Sequence, residues 1–198
     1  LGDKSNMSTW YIKDEFQESL SPFSDLRASF EQRTGGLTTL ERLTQQMGCA
    51  PSGFLCDDEL RAVMIAHRTG LKHVEGEEPT HVEHPTIKTP WGILDFLPDL
   101  LARDLQHAEP LGSECNAQCC GDFHIDVHHS ALLFPGVVLD ASKGAIRIEE
   151  GAVIRPNAVL CGPCWIGKHC TITDGALIKS NTVFGPHCKV GGEIGGTI

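Results

Sequence analysis

A branched or bulky apolar residue recurs at every sixth position through the C-terminal part of the chain. The series runs without a break through Ile148, Ile154, Leu160, Ile166, Ile172, Ile178, Phe184 and Val190. The residue four positions after each of the first seven, from Ile148 to Phe184, is small, mostly alanine or cysteine, as crowding inside a tight corner requires. At four of seven sites the residue three positions after is Gly or Asn, which tolerate the left-handed backbone that such a corner needs.

A period of six fits neither an α-helix nor a coiled coil. Three short strands of about six residues would instead close one triangular coil roughly every eighteen residues. The register extends back through Leu139, Leu133 and Val127, with a slip of three residues across Asp140–Gly144 that we interpret as a loop pushed out of a coil. The pattern therefore predicts a left-handed parallel β-helix of about four coils, each burying its faces against its neighbours.

Before this region the period disappears and helical patterns take its place. Thr38–Met47 predicts a short helix, and Asp57–His67 predicts another, with Asp57 or Asp58 as its cap. The stretch Val74–Pro90 has the composition of a loop. A third helix is predicted to open at Pro90-Trp91 and to run to about His107.

These patterns divide the chain into three parts. We expect a small α/β or α+β lobe over residues 1–110, a linker over 111–122 and the β-helix over 123–198. The lobe is too short for a full nucleotide-binding domain. Because each coil is covered only by its neighbours, we also expect the β-helix to continue beyond Ile198 in full-length relatives.

Composition narrows the classes of partner. The formal net charge is −10 with no basic stripe, which argues against binding to nucleic acid. No apolar run is long enough to span a bilayer, and Leu1–Trp10 lacks the features of a secretory signal. The nine cysteines are odd in number, which disfavours a disulfide framework. We expect a cytoplasmic protein with reduced thiols, small-molecule partners and no membrane association.

Several motifs resemble those of one known family. They comprise Leu20–Arg27, Arg33–Arg42, Pro90-Trp91, Gly136–Ser142, Cys161–Gly167 and Cys188–Ile194. Together they are similar to a bacterial family of sugar nucleotidyltransferases related to the bifunctional N-acetylglucosamine-1-phosphate uridyltransferase/acetyltransferase. The resemblance implies a truncated nucleotidyltransferase-like lobe followed by a homotrimeric, acetyl-CoA-dependent acyltransferase solenoid. The implied ligands are a nucleotide sugar of the UDP-N-acetylglucosamine type, or a sugar phosphate, with acetyl-CoA and Mg²⁺.

The chain also departs from that family. Between about Leu71 and Pro90 it is shorter than the family's lobe, and no Gly-x-Gly-x-x-Arg-type phosphate loop opens it. Relatives continue past the position of Ile198 into a stretch of the Asn-Lys-x-His-Asp-Gly type, which resembles the acyltransferase catalytic region. The general base of the family is therefore expected outside this sequence.

Acyl transfer to an amine needs a base and a donor for the developing oxyanion, and histidine is the usual base near neutral pH. His169 and His187 are candidate catalytic residues. Both stand three positions after an apolar hexad residue and are three hexads apart, so we expect them to stack on one edge and project outward. The simpler alternative, which the pattern favours, is that they are exposed turn residues.

Candidate phosphate-binding cations fall in both halves of the chain. In the solenoid, Lys168, Lys179 and Lys189 suit phosphates of CoA or of a nucleotide sugar, the alternative being solvated surface lysines.

The part that resembles the family's nucleotide-binding start contains the candidates Arg27, Arg33 and Arg42. Their guanidinium groups suit phosphate oxygens. The alternative for the arginines is ordinary salt bridges. Asp25 is a candidate ligand for Mg²⁺, which prefers carboxylate and phosphate oxygens.

A cluster of thiols and imidazoles lies just before the solenoid, made up of Cys115, Cys119, Cys120, His124, His128 and His129. Such side chains suit zinc, but the spacing lacks the paired Cys-x2-Cys knuckles of familiar zinc modules, so we disfavour a zinc site. Cys164, Cys170 and Cys188 are expected to be small interior residues, with Cys170 and Cys188 stacked in successive coils.

Two functions remain open: a sugar-nucleotide transferase, and a catalytically silent β-helix that binds a ligand or serves as a scaffold.

Overall fold

The structure is a computed structural model that describes residues 9–16, 18–21, 23–75, 87–89, 91–112 and 117–198. Its contacts divide the chain into a front unit, residues 1–32 and 37–92, and a solenoid unit, residues 33–36 and 93–198. The helices are α1 Phe23–Leu26, α2 Thr39–Met47, α3 Glu59–Thr69 and α4 Gly92–His107. Among the described residues, no helix combines the length and the apolar character that crossing a bilayer would demand.

The front unit is built around a two-stranded parallel sheet. β1 (Tyr11–Lys13) pairs in parallel with β2 (Gly53–Leu55). Its core is apolar and consists of Trp10, Ile12, Ala28, Phe30, Leu43, Phe54, Ala62 and Ile65. A small mixed lobe was predicted for this region, and the structure confirms it.

The helices of this unit begin and end where their capping residues dictate. The Thr38 hydroxyl accepts a hydrogen bond from the Glu41 amide at 3.2 Å, and the Glu41 carboxylate accepts one from the Thr38 amide at 2.7 Å. This reciprocal capping box starts α2. Asp58 caps α3 in a similar way by accepting from the Arg61 amide at 2.9 Å. Gly48 and Gly70 close the two helices in the left-handed conformation. Both helices were predicted, with bounds within two residues.

The solenoid unit contains a left-handed parallel β-helix of about four turns over residues 118–194. Its strands are β3 Gln118–Cys120, β4 Ile125–Val127, β5 Leu132–Leu133, β6 Val138–Asp140, β7 Ile146–Ile148, β8 Val153–Ile154, β9 Val159–Cys161, β10 Cys164–Ile166, β11 Thr171–Ile172, β12 Leu177–Ile178, β13 Thr182–Phe184, β14 Lys189–Val190 and β15 Glu193–Ile194. They form three parallel sheets, in the orders β13-β10-β7-β4, β14-β11-β8-β5 and β15-β12-β9-β6-β3. The first strand, β3, lies within the stretch 111–122 that was predicted as a linker.

The pairing register explains the six-residue period. Ile148 pairs with Ile166, eighteen positions later, because three hexads make one coil. Val127 pairs with Ile148, twenty-one positions later. The three extra residues fall within the loop predicted across Asp140–Gly144, which we call the inserted loop. The residues of the apolar series from Ile148 to Ile178 are fully buried, and the small residues Ala152, Ala158, Cys164, Cys170 and Ala176 fill the space beside them.

One sheet of the solenoid is buried on its outer face as well. Along the β4-β7-β10-β13 sheet, the outward column is Asp126, Arg147, Trp165 and Val183, and every member is less than one-tenth exposed. Gly36, which belongs to this unit, packs directly on the Trp165 ring: a Cβ at Gly36 would lie 2.1 Å from a ring carbon. Only glycine fits against the indole at this point.

Three earlier expectations fall partly or wholly outside the described residues. These are most of the loop over Val74–Pro90, Pro90 at the start of the third helix, and Cys115 of the thiol cluster. The third helix itself is present as α4, and it ends at His107 as predicted.

Candidate active site at an edge of the solenoid

The corners of the β-helix hold residues in the left-handed backbone conformation. Asn157, His169, Asn181 and His187 have φ angles of 60°, 56°, 58° and 63°. Gly151 and Gly175 occupy equivalent corners with φ angles of 66° and 67°. Non-glycine residues adopt this conformation rarely, and Asn does so more readily than most. The six-residue period thus places both histidines at corners, where their side chains turn away from the core.

His169 and His187 stack on each other in successive coils. Their ring centroids are 5.1 Å apart and their planes differ by 20°. Both side chains are exposed. Backbone bonds fix the stack, since the His169 amide donates to the Glu150 carbonyl at 2.9 Å and the His187 amide donates to the Lys168 carbonyl at 2.8 Å. The predictions that these residues share an edge, stack and project outward are confirmed.

Charged side chains flank the stacked pair. Lys168 Nζ donates to Glu150 Oε2 at 3.2 Å. The hydrogen bond and charge of Lys168 lower the pKa of Glu150, and the charges of His128 and His169 act in the same direction. A Cβ on Gly151 would lie 2.3 Å from His169 Nδ1, so the imidazole rests against this glycine. Glu150 is therefore ionised at neutral pH beside two imidazoles and an ammonium group.

The edge continues into the preceding coil. The Gly151 amide donates to Ser130 Oγ at 3.0 Å, and Ser130 Oγ is 2.8 Å from His128 Nδ1. The ring of His128 lies 4.1 Å from that of His129, centroid to centroid. We call this surface the histidine edge and define it by His128, Ser130, Glu150, Lys168, His169 and His187. The link between His128 and His169 was not predicted because the inserted loop breaks the hexad count between them.

The chemistry available at this edge is proton transfer next to a positive charge. An exposed imidazole can take a proton from a bound amine near neutral pH. The Lys168 ammonium can stabilise negative charge developing on a neighbouring oxygen. The described groups thus include both a base and a cationic donor.

The three predicted phosphate-binding lysines do not share one site. Lys168 belongs to the histidine edge, Lys179 directly follows β12, and Lys189 lies on β14 in a different sheet. Lys179 forms an ion pair with Glu193, and its hydrogen bond lowers the pKa of that carboxylate. Lys189 is exposed. Of the three, Lys168 alone stands beside the candidate catalytic residues.

The three predicted arginines have different surroundings. Arg27 is exposed, and Arg42 is buried in α2 with its Nη2 donating to the Leu37 carbonyl at 3.2 Å. Arg33 falls in the solenoid unit and donates to the Gly36 carbonyl. A further buried arginine of the front unit, Arg61, was not among the predicted site residues. It pairs with the buried carboxylate of Asp14.

The predicted metal ligand Asp25 and the described members of the thiol cluster differ from metal sites in the arrangement of their donor atoms. Asp25 Oδ2 accepts a hydrogen bond from Ser21 Oγ at 2.8 Å. Among the described residues, no three His, Cys, Asp or Glu side chains are arranged to hold a metal ion, at Asp25 or near Cys119, Cys120 and His124. Asp25 therefore has no converging set of protein ligands for Mg²⁺ within that part of the chain. The eight cysteines that the structure describes are free thiols.

A comparison with known protein families matches part of the solenoid. Residues 145–180 match the family described as Bacterial transferase hexapeptide (six repeats). This stretch runs from the start of β7 past β12 and includes Glu150, Lys168 and His169. Searches of the curated proteins and of the solved structures returned no match. Residues 145–180 of the solenoid are therefore similar to the hexapeptide repeats of bacterial transferases.

Proposed function

We propose that the protein is an acyltransferase of nucleotide-activated amino sugars or sugar phosphates, with the histidine edge as its active site. The observation that carries the proposal is the stacked pair His169 and His187 beside the Glu150–Lys168 ion pair. These groups lie on a solenoid with the repeats of bacterial transferases. The identities of the sugar, of the uridine nucleotide and of acetyl-CoA are inferred from the resemblance of the sequence motifs to the sugar nucleotidyltransferase family.

In this mechanism His169 accepts the proton of the acceptor amine as its nitrogen attacks the thioester carbonyl carbon of the acyl donor. Lys168 lies where it can stabilise the negative charge that develops on the carbonyl oxygen. As the carbon–sulfur bond breaks, the imidazolium returns the proton to the departing thiolate. His187 packs on His169 and limits the orientations of its ring.

We further propose that the protein works as a cytoplasmic homotrimer. Both histidines are exposed on one subunit, and a symmetry mate packed against a flat face of the solenoid would shield them from water. Free cysteines on both units fit a reducing compartment. Sedimentation analysis tests the trimer directly.

The test is calorimetric titration with acetyl-CoA, UDP-N-acetylglucosamine and UTP with Mg²⁺, followed by mass-spectrometric detection of acyl transfer to amino-sugar acceptors. We expect micromolar binding of acetyl-CoA or a uridine ligand. In the His169→Asn variant, turnover should fall about 100-fold or more, as loss of a general base predicts, while acyl-donor affinity is retained. Asn is the chosen replacement because Asn157 and Asn181 hold the same corner conformation.

Asn181→His supplies the matched control. It places an imidazole at a corner without the Glu150–Lys168 pair, and turnover should not change. Absence of binding by every ligand would contradict the transferase and support the alternative of a silent scaffold. Equal turnover in wild-type protein and His169→Asn would place the base elsewhere.

A further inference from the structure

The solenoid unit contains a cavity that no part of the proposed acyl transfer uses. It has a volume of about 530 Å³ and is lined by the C-terminal half of α4, the turn around Phe123 and the inserted loop. Such a volume lies within the roughly 300–1,000 Å³ of small-molecule sites. None of the residues that define the histidine edge lines it. We call it the α4 cavity.

The wall of the α4 cavity is largely apolar. The apolar residues of the lining include Leu105, Phe123 and Pro163, with Ala102 at the helix side. The Phe123 side chain is 55 % exposed. An apolar ligand body in the cavity would cover this ring and remove both surfaces from water, which is favourable.

The polar lining of the cavity includes two cations. These are Lys143 and Arg147, and the lining also holds the carboxylate of Asp126, the imidazole of His124 and the amide of Gln106. Arg147 is buried and uses Nε and Nη1 for its hydrogen bonds to Glu149, Asp126 and the Glu109 carbonyl. This network fixes Asp126 and Arg147 in place. Lys143 is thus the exposed cation left to meet a ligand.

The inserted loop is what brings Lys143 to this position. The loop adds three residues to the coil, so that Val127 and Ile148 pair at twenty-one positions instead of eighteen. A Cβ at Gly144 would lie 2.6 Å from the Pro163 ring, so the loop is held against the next coil. The nearby carboxylate of Asp140 accepts a hydrogen bond from the Ser142 amide at 3.0 Å. Its pKa is lowered mainly by Ser142 and least by Lys143.

We propose that the α4 cavity binds a small organic anion with an apolar body, an aryl or medium-chain acyl carboxylate. The apolar body lies on Leu105, Phe123 and Pro163, and the carboxylate pairs with the Lys143 ammonium. The insertion in the hexapeptide period is then a binding device: it supplies the cation that a regular coil would lack.

The experiment is calorimetric titration of the full chain with octanoate, octan-1-ol and octylamine, three probes with the same tail and different head groups. We expect octanoate to bind about tenfold more tightly than the other two, as a charge-assisted pair predicts. Lys143→Gln should abolish this preference. Lys189→Gln, which removes an exposed solenoid lysine that does not line the cavity, should leave it unchanged.

A second variant locates the site independently of charge. Ala102 is exposed on α4 and lines the cavity, so Ala102→Trp should fill it and abolish binding of octanoate. Equal affinity for octylamine and octanoate would overturn the proposal. So would octanoate binding that neither Lys143→Gln nor Ala102→Trp reduces. If Ala102→Trp does not fold, the comparison of Lys143→Gln with Lys189→Gln decides.

Discussion

The solenoid and the front unit are stabilised in different ways. In the solenoid the same interior position recurs in every coil, and each interior residue pairs with the equivalent position of the neighbouring coil, as Ile166 does with Ile148. The described part of the front unit has a small core and a buried ion pair between Asp14 and Arg61. Stability in the first case is spread over equivalent contacts. In the second case it is concentrated in a few residues that have no substitutes.

The largest expected effect tests that concentration. Arg61→Ala removes the hydrogen bonds that the Arg61 guanidinium donates to the Asp14 carboxylate and to the Ser24 and Arg27 carbonyls. The Asp14 side chain is fully buried, so its negative charge would lose the positive charge that it pairs with. The free energy of unfolding should fall by about 3–5 kcal/mol.

Urea unfolding with thiol labelling and peptide mass spectrometry measures this loss unit by unit. Cys49 packs against the front core and Cys164 lies in the solenoid interior. Burial raises the pKa of the Cys164 thiol, which keeps it unreactive until the solenoid opens. Arg68→Ala, which breaks the more exposed pair with Glu31, should cost under about 1 kcal/mol. A similar cost for Arg61→Ala would show that the buried pair is dispensable.

The next largest effect concerns the solenoid. Ile166 is fully buried in β10, between β7 and β13, and Ile166→Ala should cost about 3 kcal/mol by leaving a cavity. Ile194 lies in β15, which pairs on one side with β12, and is half-buried. Ile194→Ala should cost about 1 kcal/mol. Cys164 labelling during urea unfolding reports both. Equal losses would mean that coil position does not matter.

The same contrast explains what could be predicted from the sequence. The interior of the solenoid was predictable because one packing arrangement repeats, so the series from Ile148 to Val190 records it several times over. The stack of His169 on His187 followed from the same period. Asp14 and Arg61 are forty-seven positions apart and meet once, so no pattern in the sequence marks them. Local capping signals at Thr38 and Asp58 were enough to place two helices.

The histidine edge was only partly predictable for a related reason. His128 belongs to it, but the inserted loop shifts the hexad register between His128 and His169 by three positions. The α4 cavity was not predicted, since it depends on how α4 packs within its unit. A regular period can forecast the contacts that it generates, and it misses those made by residues that interrupt it.

A smaller effect distinguishes the corners of the solenoid. Gly151 and Gly175 have nearly the same positive φ, but a Cβ at Gly151 meets His169 whereas one at Gly175 meets nothing within 4 Å. Gly175→Ala should therefore cost about 1 kcal/mol, for the left-handed backbone alone. Gly151→Ala should cost about 2 kcal/mol because it also displaces the imidazole.

Proton NMR of the histidine rings separates the two contributions at these corners. The His169 ring signals should shift in Gly151→Ala and stay in place in Gly175→Ala. If the His169 ring signals shift in neither variant, and both variants lose the same free energy of unfolding, His169 does not rest on Gly151 in solution.

The smallest effect returns to the front unit. Thr38→Ala removes the hydroxyl that caps α2 and half of the reciprocal capping box with Glu41, so the free energy of unfolding should fall by about 1 kcal/mol. Thr44→Ala, inside the same helix, is the matched control and should be nearly neutral, since alanine has the higher helix propensity. Labelling of Cys49 in urea measures both. A loss at Thr44 equal to that at Thr38 would show that the side-chain volume of threonine, and not the cap, stabilises this end of the unit.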